Sequence, residues 1–344
     1  MNARGIRLLA PGTALPGPPV ATAALARHLG LTAEQGRDLE AALGIRFRHL
    51  CRDLGGRAPH ATLTDLATTA AERALAAADT DAGDVDAVVM STATPDGLMP
   101  ATVNLVADRL GIDQVPSYQI QAGATGALQA IDLAAQLLST GRRHTVLVLA
   151  GDVSTKLSDL TPDPGEEPAQ AALTTATFGD GAAAVVVTSS DRPDSHLLCR
   201  VAVRRGTADL PPGQTADWLG AAKRGTPGRL VTYDQALVAD VAPKLAANLL
   251  TELLDDLGWG TGDLVCLLPP QLPGGLAAAT AELLLVPPQR CAGVIEEIGH
   301  APNALPLFQL ARAWGRTGPG DRLAGVAVDP SGWATARFAL QRVR

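Results

Sequence analysis

Short, almost unbroken apolar runs alternate along this chain with longer stretches whose apolar positions recur every three to four residues, and the alternation is played twice. In the first pass a helical pattern over Thr62 to Thr80 precedes the run Asp86-Ala87-Val88-Val89-Met90, and a second helical pattern covers Ala101 to Leu110. A helix opened by Gly123 and closing at Thr140-Gly141 then leads into the runs His144 to Ala150 and Ala182 to Val187. In the second pass Gln235 to Leu257 precedes Leu264-Val265-Cys266-Leu267-Leu268, followed by a helix over about Leu276 to Leu285. A helix opened by the Gly299 segment and closing at Thr317-Gly318 leads into the run Arg322 to Val328. Gly123 and Gly299 are 176 positions apart and Gly141 and Gly318 are 177 apart, an offset too constant for chance and too long for a solenoid. Runs that are apolar at every position predict strands buried on both faces, which is the signature of mostly parallel sheets covered by helices. The expected architecture is α/β: two duplicated halves stacked into five layers, α/β/α/β/α, with residues 1–188 in one half and 196–344 in the other. The polar stretch Ser189 to Ser195 marks the boundary. Thr161 to Gln170, polar and rich in proline, is expected to be a surface loop, a plain loop or a lid.

With 344 residues, 47% of them apolar, burial is not limiting for two such halves, and the 3% aromatic content predicts cores filled by Ala, Leu and Val. A net charge of −7 excludes a nucleic-acid surface, which needs a basic stripe. The short patches Arg142-Arg143-His144 and Arg204-Arg205 read as solvated loop ends, with docking of an acidic carrier protein as the alternative. Cys51, Cys199, Cys266 and Cys291 form no CxxC or Cys/His cluster, so no metal site is expected; Cys266 and Cys291 read as small core residues. Met1 to Gly5 carries no hydrophobic signal segment and no apolar run approaches a membrane span, which points to a soluble cytoplasmic protein.

Several polar segments punctuate this frame. They are Gly44-Ile45-Arg46-Phe47-Arg48, Ser91-Thr92-Ala93-Thr94-Pro95-Asp96, Ala122-Gly123-Ala124-Thr125-Gly126, Phe178-Gly179-Asp180-Gly181-Ala182-Ala183, Leu268-Pro269-Pro270-Gln271 and Gly299-His300. Taken together and in this order, they resemble β-ketoacyl-acyl carrier protein synthase III over the whole chain. The resemblance implies the thiolase fold, normally dimeric, and a chemistry in which an acyl group from coenzyme A or an acyl carrier protein is held on a cysteine. That acyl group is then condensed with a malonyl thioester or, in natural-product relatives, passed to an alcohol, an amine or a second carrier. A helix start suits such a nucleophile, because unpaired N–H groups and the helix dipole favour a thiolate and can hold a thioester oxyanion.

The chain departs from this pattern at each catalytic point. The nucleophile position holds Ala124, the first histidine position matches Pro270, and the asparagine position matches His300. Acyl-transferring relatives with a histidine there carry an acid five residues later, where this chain has Leu305. The glycine-rich turn before the last strand becomes Asp329-Pro330-Ser331-Gly332, which removes a backbone donor at Pro330.

Around these positions, Thr125 reads as a helix-start hydroxyl without a base and Asn303 as the N-cap of the helix containing Leu307 to Trp314. Asp180, Ser154 and Thr155 read as turn residues. Arg46, Arg48 and His49 are either a nucleotide-phosphate contact or a solvated turn, and Trp218 either a pantetheine contact or an ordinary loop aromatic. Two function classes follow. One is an acyltransferase or condensing enzyme of polyketide-type metabolism, taking acyl-coenzyme A or phosphopantetheine thioesters, with His300 as base and no permanent cofactor. The other is a catalytically silent subunit paired with an active synthase III-like chain. A chain carrying an introduced Cys-to-Ala change at 124 is a variant of the first. A homodimer, or a heterodimer with a related chain, is expected in either case.

Overall fold

The computed structural model describes residues 5–56, 58–157, 168–206, 209–217 and 231–343. In chain order the first half contains β1 (Arg7–Leu8), β2 (Gly12–Ala14), β3 (Val20–Ala21), α1 (Thr22–His28), α2 (Ala33–Leu43), β4 (Phe47–Arg48) and α3 (Leu63–Ala77). It continues with β5 (Ala87–Ser91), α4 (Thr102–Leu110), β6 (Ser117–Ile120), α5 (Gly126–Ser139), β7 (Thr145–Asp152), α6 (Pro168–Thr177) and β8 (Gly181–Thr188). The second half opens with β9 (His196–Arg204), β10 (Gln214–Ala216), β11 (Val231–Tyr233), α7 (Gln235–Leu257) and β12 (Leu264–Leu268). It ends with α8 (Leu276–Leu283), α9 (Ile295–Ile298), α10 (Leu305–Trp314), β13 (Arg322–Asp329) and β14 (Ala334–Arg342).

Side-chain alternation along the strands builds the layers. Val88 and Met90 of β5, with Leu147 and Leu149 of β7, pack against α3 and α4. Ala87 and Val89, with Val146 and Val148, point the other way onto α5 and α10. That same central core takes Cys266 and Leu268 of β12 and Leu323 and Ala327 of β13, so α5 and α10 lie between the strands of the two halves. The opposite face of the second half, through Leu264, Leu267, Ala324 and Val326, packs on α7 and α8. The result is the expected five layers.

The strand order is β12-β13-β14-β9-β1-β8-β7-β5-β6, with β2 also on β8. The two halves therefore form one continuous sheet, because β1 pairs antiparallel with both β8 and β9. The inner pairs β5/β7 and β12/β13 are parallel. The second half answers β6 with only an isolated bridge, Leu267 to Cys291. Local chemistry fixes the edges: Thr32/Gln35 and Thr62/Asp65 form capping boxes at α2 and α3. Gly12 lets β2 lie directly on α3, since a Cβ there would sit 2.2 Å from the Ala70 carbonyl oxygen. Pro168–Gln170, expected in a loop, instead opens α6; proline is favoured in a first helical turn, where its missing N–H has no partner to lose. The rest of that expected loop, 161–167, lies outside the described residues. Among the described residues no helix is long and apolar enough to cross a membrane.

Candidate active site

Strands β7 and β13 end on acids, Asp152 and Asp329, and both strands begin and end 177 positions apart. Each carboxylate crosses to the start of the other half's central helix. Asp152 Oδ2 accepts the Asn303 N–H at 2.8 Å, just before α10. Asp329 Oδ2 accepts the Gly123 N–H at 2.9 Å, just before α5.

Around Asp152 the network is closed. Its carboxylate also accepts the Ala93 N–H (3.0 Å), the Thr94 hydroxyl (3.3 Å) and the Asn303 Nδ2 group (3.1 Å to each oxygen). Asn303 Nδ2 donates to the Ala122 carbonyl at 2.6 Å, and its Oδ1 accepts the Ser91 hydroxyl at 2.6 Å. Asn303 is therefore not the N-cap of α10. That position is Ala304 without a side-chain cap, because the Asn303 amide is spent on bracing the turn before Ala124. Full burial pushes the Asp152 carboxyl up to about 6, against the pull of the N–H donors around it.

Ala124 is buried against the second half's core, among residues such as Val238, Leu272 and Val328. It lines a cavity of about 10 Å³ with Gln271, Pro302, Leu305, Pro306 and Gln309, room for one water at most. Its own amide bonds to nothing among the described residues. The Gly123 amide next to it is taken by Asp329.

His300 is fully buried. Its backbone N–H donates to Thr177 O (3.1 Å) and its ring centroid lies 5.8 Å from that of Phe178. Nδ1 lies 3.1 Å from the Gln271 carbonyl oxygen, an acceptor that requires Nδ1 to carry the proton. Nε2 is left as a bare acceptor with no partner among the described residues. Burial lowers the ring to about 4, so it is neutral at pH 7. Gln271 thus touches both expected positions: it lines the Ala124 cavity and its carbonyl holds His300. Pro270 is buried in the same loop, but neither it nor His300 is among the residues lining that cavity.

Other candidates separate from this cluster. Thr125 Oγ1 accepts from Gln129 Nε2 at 2.9 Å and meets no base. Arg48, one of the three residues read as a phosphate contact or a solvated turn, is fully buried and donates to Thr22 Oγ1 (2.9 Å) and Ala176 O (2.7 Å), so it braces the end of α6 and faces no solvent. Arg46 is paired with Glu296 at 3.6 Å, and His49 Nδ1 lies near the Pro16 and Gly17 carbonyls. Asp180 is more than turn chemistry: buried, it accepts the Cys51 N–H (2.7 Å), the Thr155 N–H (3.1 Å) and the Thr155 hydroxyl. Trp218 lies outside the described residues. Among the described residues no cluster of His, Cys, Asp or Glu is arranged to hold a metal. The sequence reading ended both strands short of these acids, passing over Asp152 and taking Asp329 only as part of a turn, although the repeat offset pairs them.

Next to this site, on the other side of Pro302, opens a larger cavity of about 210 Å³ lined by Gly123, Asp329, Gln121, Gln214 and Ser331 among others.

Across 320 residues the chain is 31% identical to β-ketoacyl-[acyl-carrier-protein] synthase III 3 of Streptomyces coelicolor, spanning 91% of this chain and 90% of that one. The chain belongs to the β-ketoacyl-acyl carrier protein synthase III family. The family model for 3-oxoacyl-[acyl-carrier-protein] synthase III matches residues 118–204, which include the turn at Ala124 and Asp152. Among solved structures, AbyA1, a tetronic acid condensing enzyme, superposes with a TM-score of 0.93 at 40% identity, over 97% of this chain and 99% of that one. The priming β-ketosynthase of the R1128 polyketide biosynthetic pathway superposes with a TM-score of 0.82 at 25% identity, covering 98% and 96%. The five layers are accordingly those of the thiolase-fold synthase III structures, and the turn at Ala124 stands within the region that the family model covers.

Proposed function

We propose that this synthase III-family protein takes acyl thioesters of coenzyme A or an acyl carrier protein in polyketide-type metabolism, and transfers the acyl group directly to an acceptor without an acyl-enzyme at residue 124. The observation that carries the reading is the neutral, fully buried His300, whose Nε2 is bare while its Nδ1 is tied to Gln271. The 40% identity to a tetronic acid condensing enzyme supports the pathway class. In the reaction the acceptor's heteroatom attacks the thioester carbonyl, the Ala124 N–H at the start of α5 faces the developing oxyanion, and the C–S bond breaks. With the small cavity beside Ala124 opened as far as the buried His300, Nε2 takes the acceptor's proton and returns it to the departing thiolate. Positioning and electrostatics suffice for such direct transfer. The protein would act in the cytoplasm, with no permanent cofactor, as a homodimer or with a related chain.

Incubation with acyl-coenzyme A and intact-mass measurement should give no adduct on this chain and an adduct on Ala124→Cys. His300→Ala should slow transfer on the order of 10²–10⁴-fold. An acyl group mapped to Thr125, or full activity in His300→Ala, overturns the mechanism. A second reading, a silent subunit, is favoured by the closed cavity at Ala124 and the proline at position 270. It predicts no transfer to any acceptor until a second synthase-like chain is added.

A further inference from the structure

Asp329 sits where the turn before the last strand, read from the family's pattern, should bring glycine backbone to the nucleophile position. Asp329 is 5% exposed and, together with Asp217, lines the cavity of about 210 Å³ beside Ala124. Three donors hold it: the Gly123 N–H at 2.9 Å, the Ser331 N–H at 3.0 Å and the Ser331 hydroxyl at 2.7 Å. No lysine or arginine pairs with it or lines the cavity among the described residues. The opposite wall is fixed relative to this one: Trp333 Nε1 donates to the Pro211 carbonyl at 2.8 Å and the Gly213 N–H donates to the Pro330 carbonyl at 2.9 Å, which carries Gln214 to the cavity.

We propose that Asp329 sets the acceptor specificity of this site: the cavity takes an acceptor whose terminus donates hydrogen bonds, a hydroxyl or an ammonium, and rejects a carboxylate-ended one such as a malonyl thioester. A carboxylate beside which the described residues place no lysine or arginine repels a further carboxylate entering the same walled space and attracts a donor, and a partly desolvated setting strengthens both effects. Ser331 spends its proton on Asp329, so its oxygen adds a second acceptor, and the Gln121 and Gln214 amides supply neutral polar contacts. The missing histidine at Pro270 agrees, since that position holds no donor for a malonyl carboxylate. This inference rests on the acyl-thioester reading above.

The test uses four pantetheine analogues in which the thioester is replaced by an amide, so that nothing transfers: glycyl (ammonium), glycolyl (hydroxyl), propionyl (apolar) and malonyl (carboxylate). Calorimetric titration of the whole protein should rank glycyl and glycolyl above propionyl, and malonyl last, with glycyl at least tenfold tighter than malonyl. Asp329→Asn, which keeps an acceptor oxygen and loses the charge, should cut that ratio at least fivefold, chiefly through tighter malonyl binding. Malonyl binding as tightly as glycyl in the wild type overturns the proposal, and so does a ratio unchanged in Asp329→Asn. The wild-type order alone decides if the variant does not fold. Failure of all four to bind refutes the thioester reading and this inference together. The expected order in a protein that transfers no acyl group leaves this inference standing and removes only the transfer.

Discussion

Replacing Gly126 with alanine should destabilise the protein, against the usual rule. In a helix, Gly→Ala is worth up to about 1 kcal/mol of stability through propensity alone. Here a Cβ on Gly126 would sit 1.9 Å from Asn303 Oδ1 and 2.2 Å from Ser91 Oγ, far inside the ~3.5 Å at which non-bonded atoms meet. Neither neighbour can give way cheaply, because the Ser91 hydroxyl donates to Asn303, and Asn303 in turn holds Ala122 O and both oxygens of Asp152. Displacing Asn303 strands at least two buried polar groups, at about 1–3 kcal/mol each. The net expectation is a loss of about 2–5 kcal/mol, a large part of the ~5–15 kcal/mol that folded domains possess. Urea unfolding followed by circular dichroism reads this as a lower midpoint with an unchanged slope. A Gly126→Ala protein as stable as wild type, or more so, would refute the close packing of α5 on the start of α10.

Three further outcomes follow from buried titrating groups. His300 falls from 6.5 to about 4 on burial, so it contributes stability at pH 7 that is lost as the pH falls through 4; relative to His300→Asn, wild type should lose up to about 3 kcal/mol between pH 7 and pH 4 in urea titrations. Asp152 carries the opposite sign: raised from 3.8 to about 6, it contributes stability present at pH 3.8 and below, which is lost as the pH rises through 6. The advantage of wild type over Asp152→Asn should therefore shrink by up to about 3 kcal/mol between pH 4 and pH 7. Burial, Asp180 and its hydrogen bond all raise the Cys51 thiol, so iodoacetamide should leave Cys51 unlabelled in the native protein at pH 8 while half-buried Cys291 reacts slowly; peptide mass mapping decides.

Much of the fold could be read because each long apolar period belonged to one element. Gln235 to Leu257 is α7 from end to end, and Leu264 to Leu268 is β12. Where the reading stopped short, polarity was mistaken for a boundary. Asp152 still pairs with Gly181, and Asp329 with Ala334, so both acids belong to the sheet although their side chains leave it. Asn303 looked like a cap because capping is what an asparagine before a helix does locally; its actual partners lie 151 and 212 positions away, beyond any local rule. Arg48 looked solvated because a cation in a polar segment normally is, yet the end of α6 covers it. That residue 124 carries no nucleophilic atom, in contrast, was visible at once, since alanine offers none for covalent chemistry whatever surrounds it.

The duplication also explains how one half can remain a scaffold while the other changes chemistry. Asp152 and Asp329 occupy the same place in the two repeats and perform the same first task, accepting the N–H before the opposite half's central helix. Their surroundings then diverge. Asp152 is enclosed by Ala93, Thr94 and Asn303, leaves no face open and can only hold the halves in register. Among the described residues Asp329 is hydrogen-bonded only by its own turn and Gly123, and it lines the cavity beside Ala124. A carboxylate kept by both repeats for packing is therefore free to act on a ligand in one of them. On the proposed reading, the alanine at 124 and the charge at 329 belong together. An acyl-enzyme needs a thiolate at 124, whereas the direct transfer proposed above needs only the Ala124 N–H toward the oxyanion and an acceptor held at Asp329.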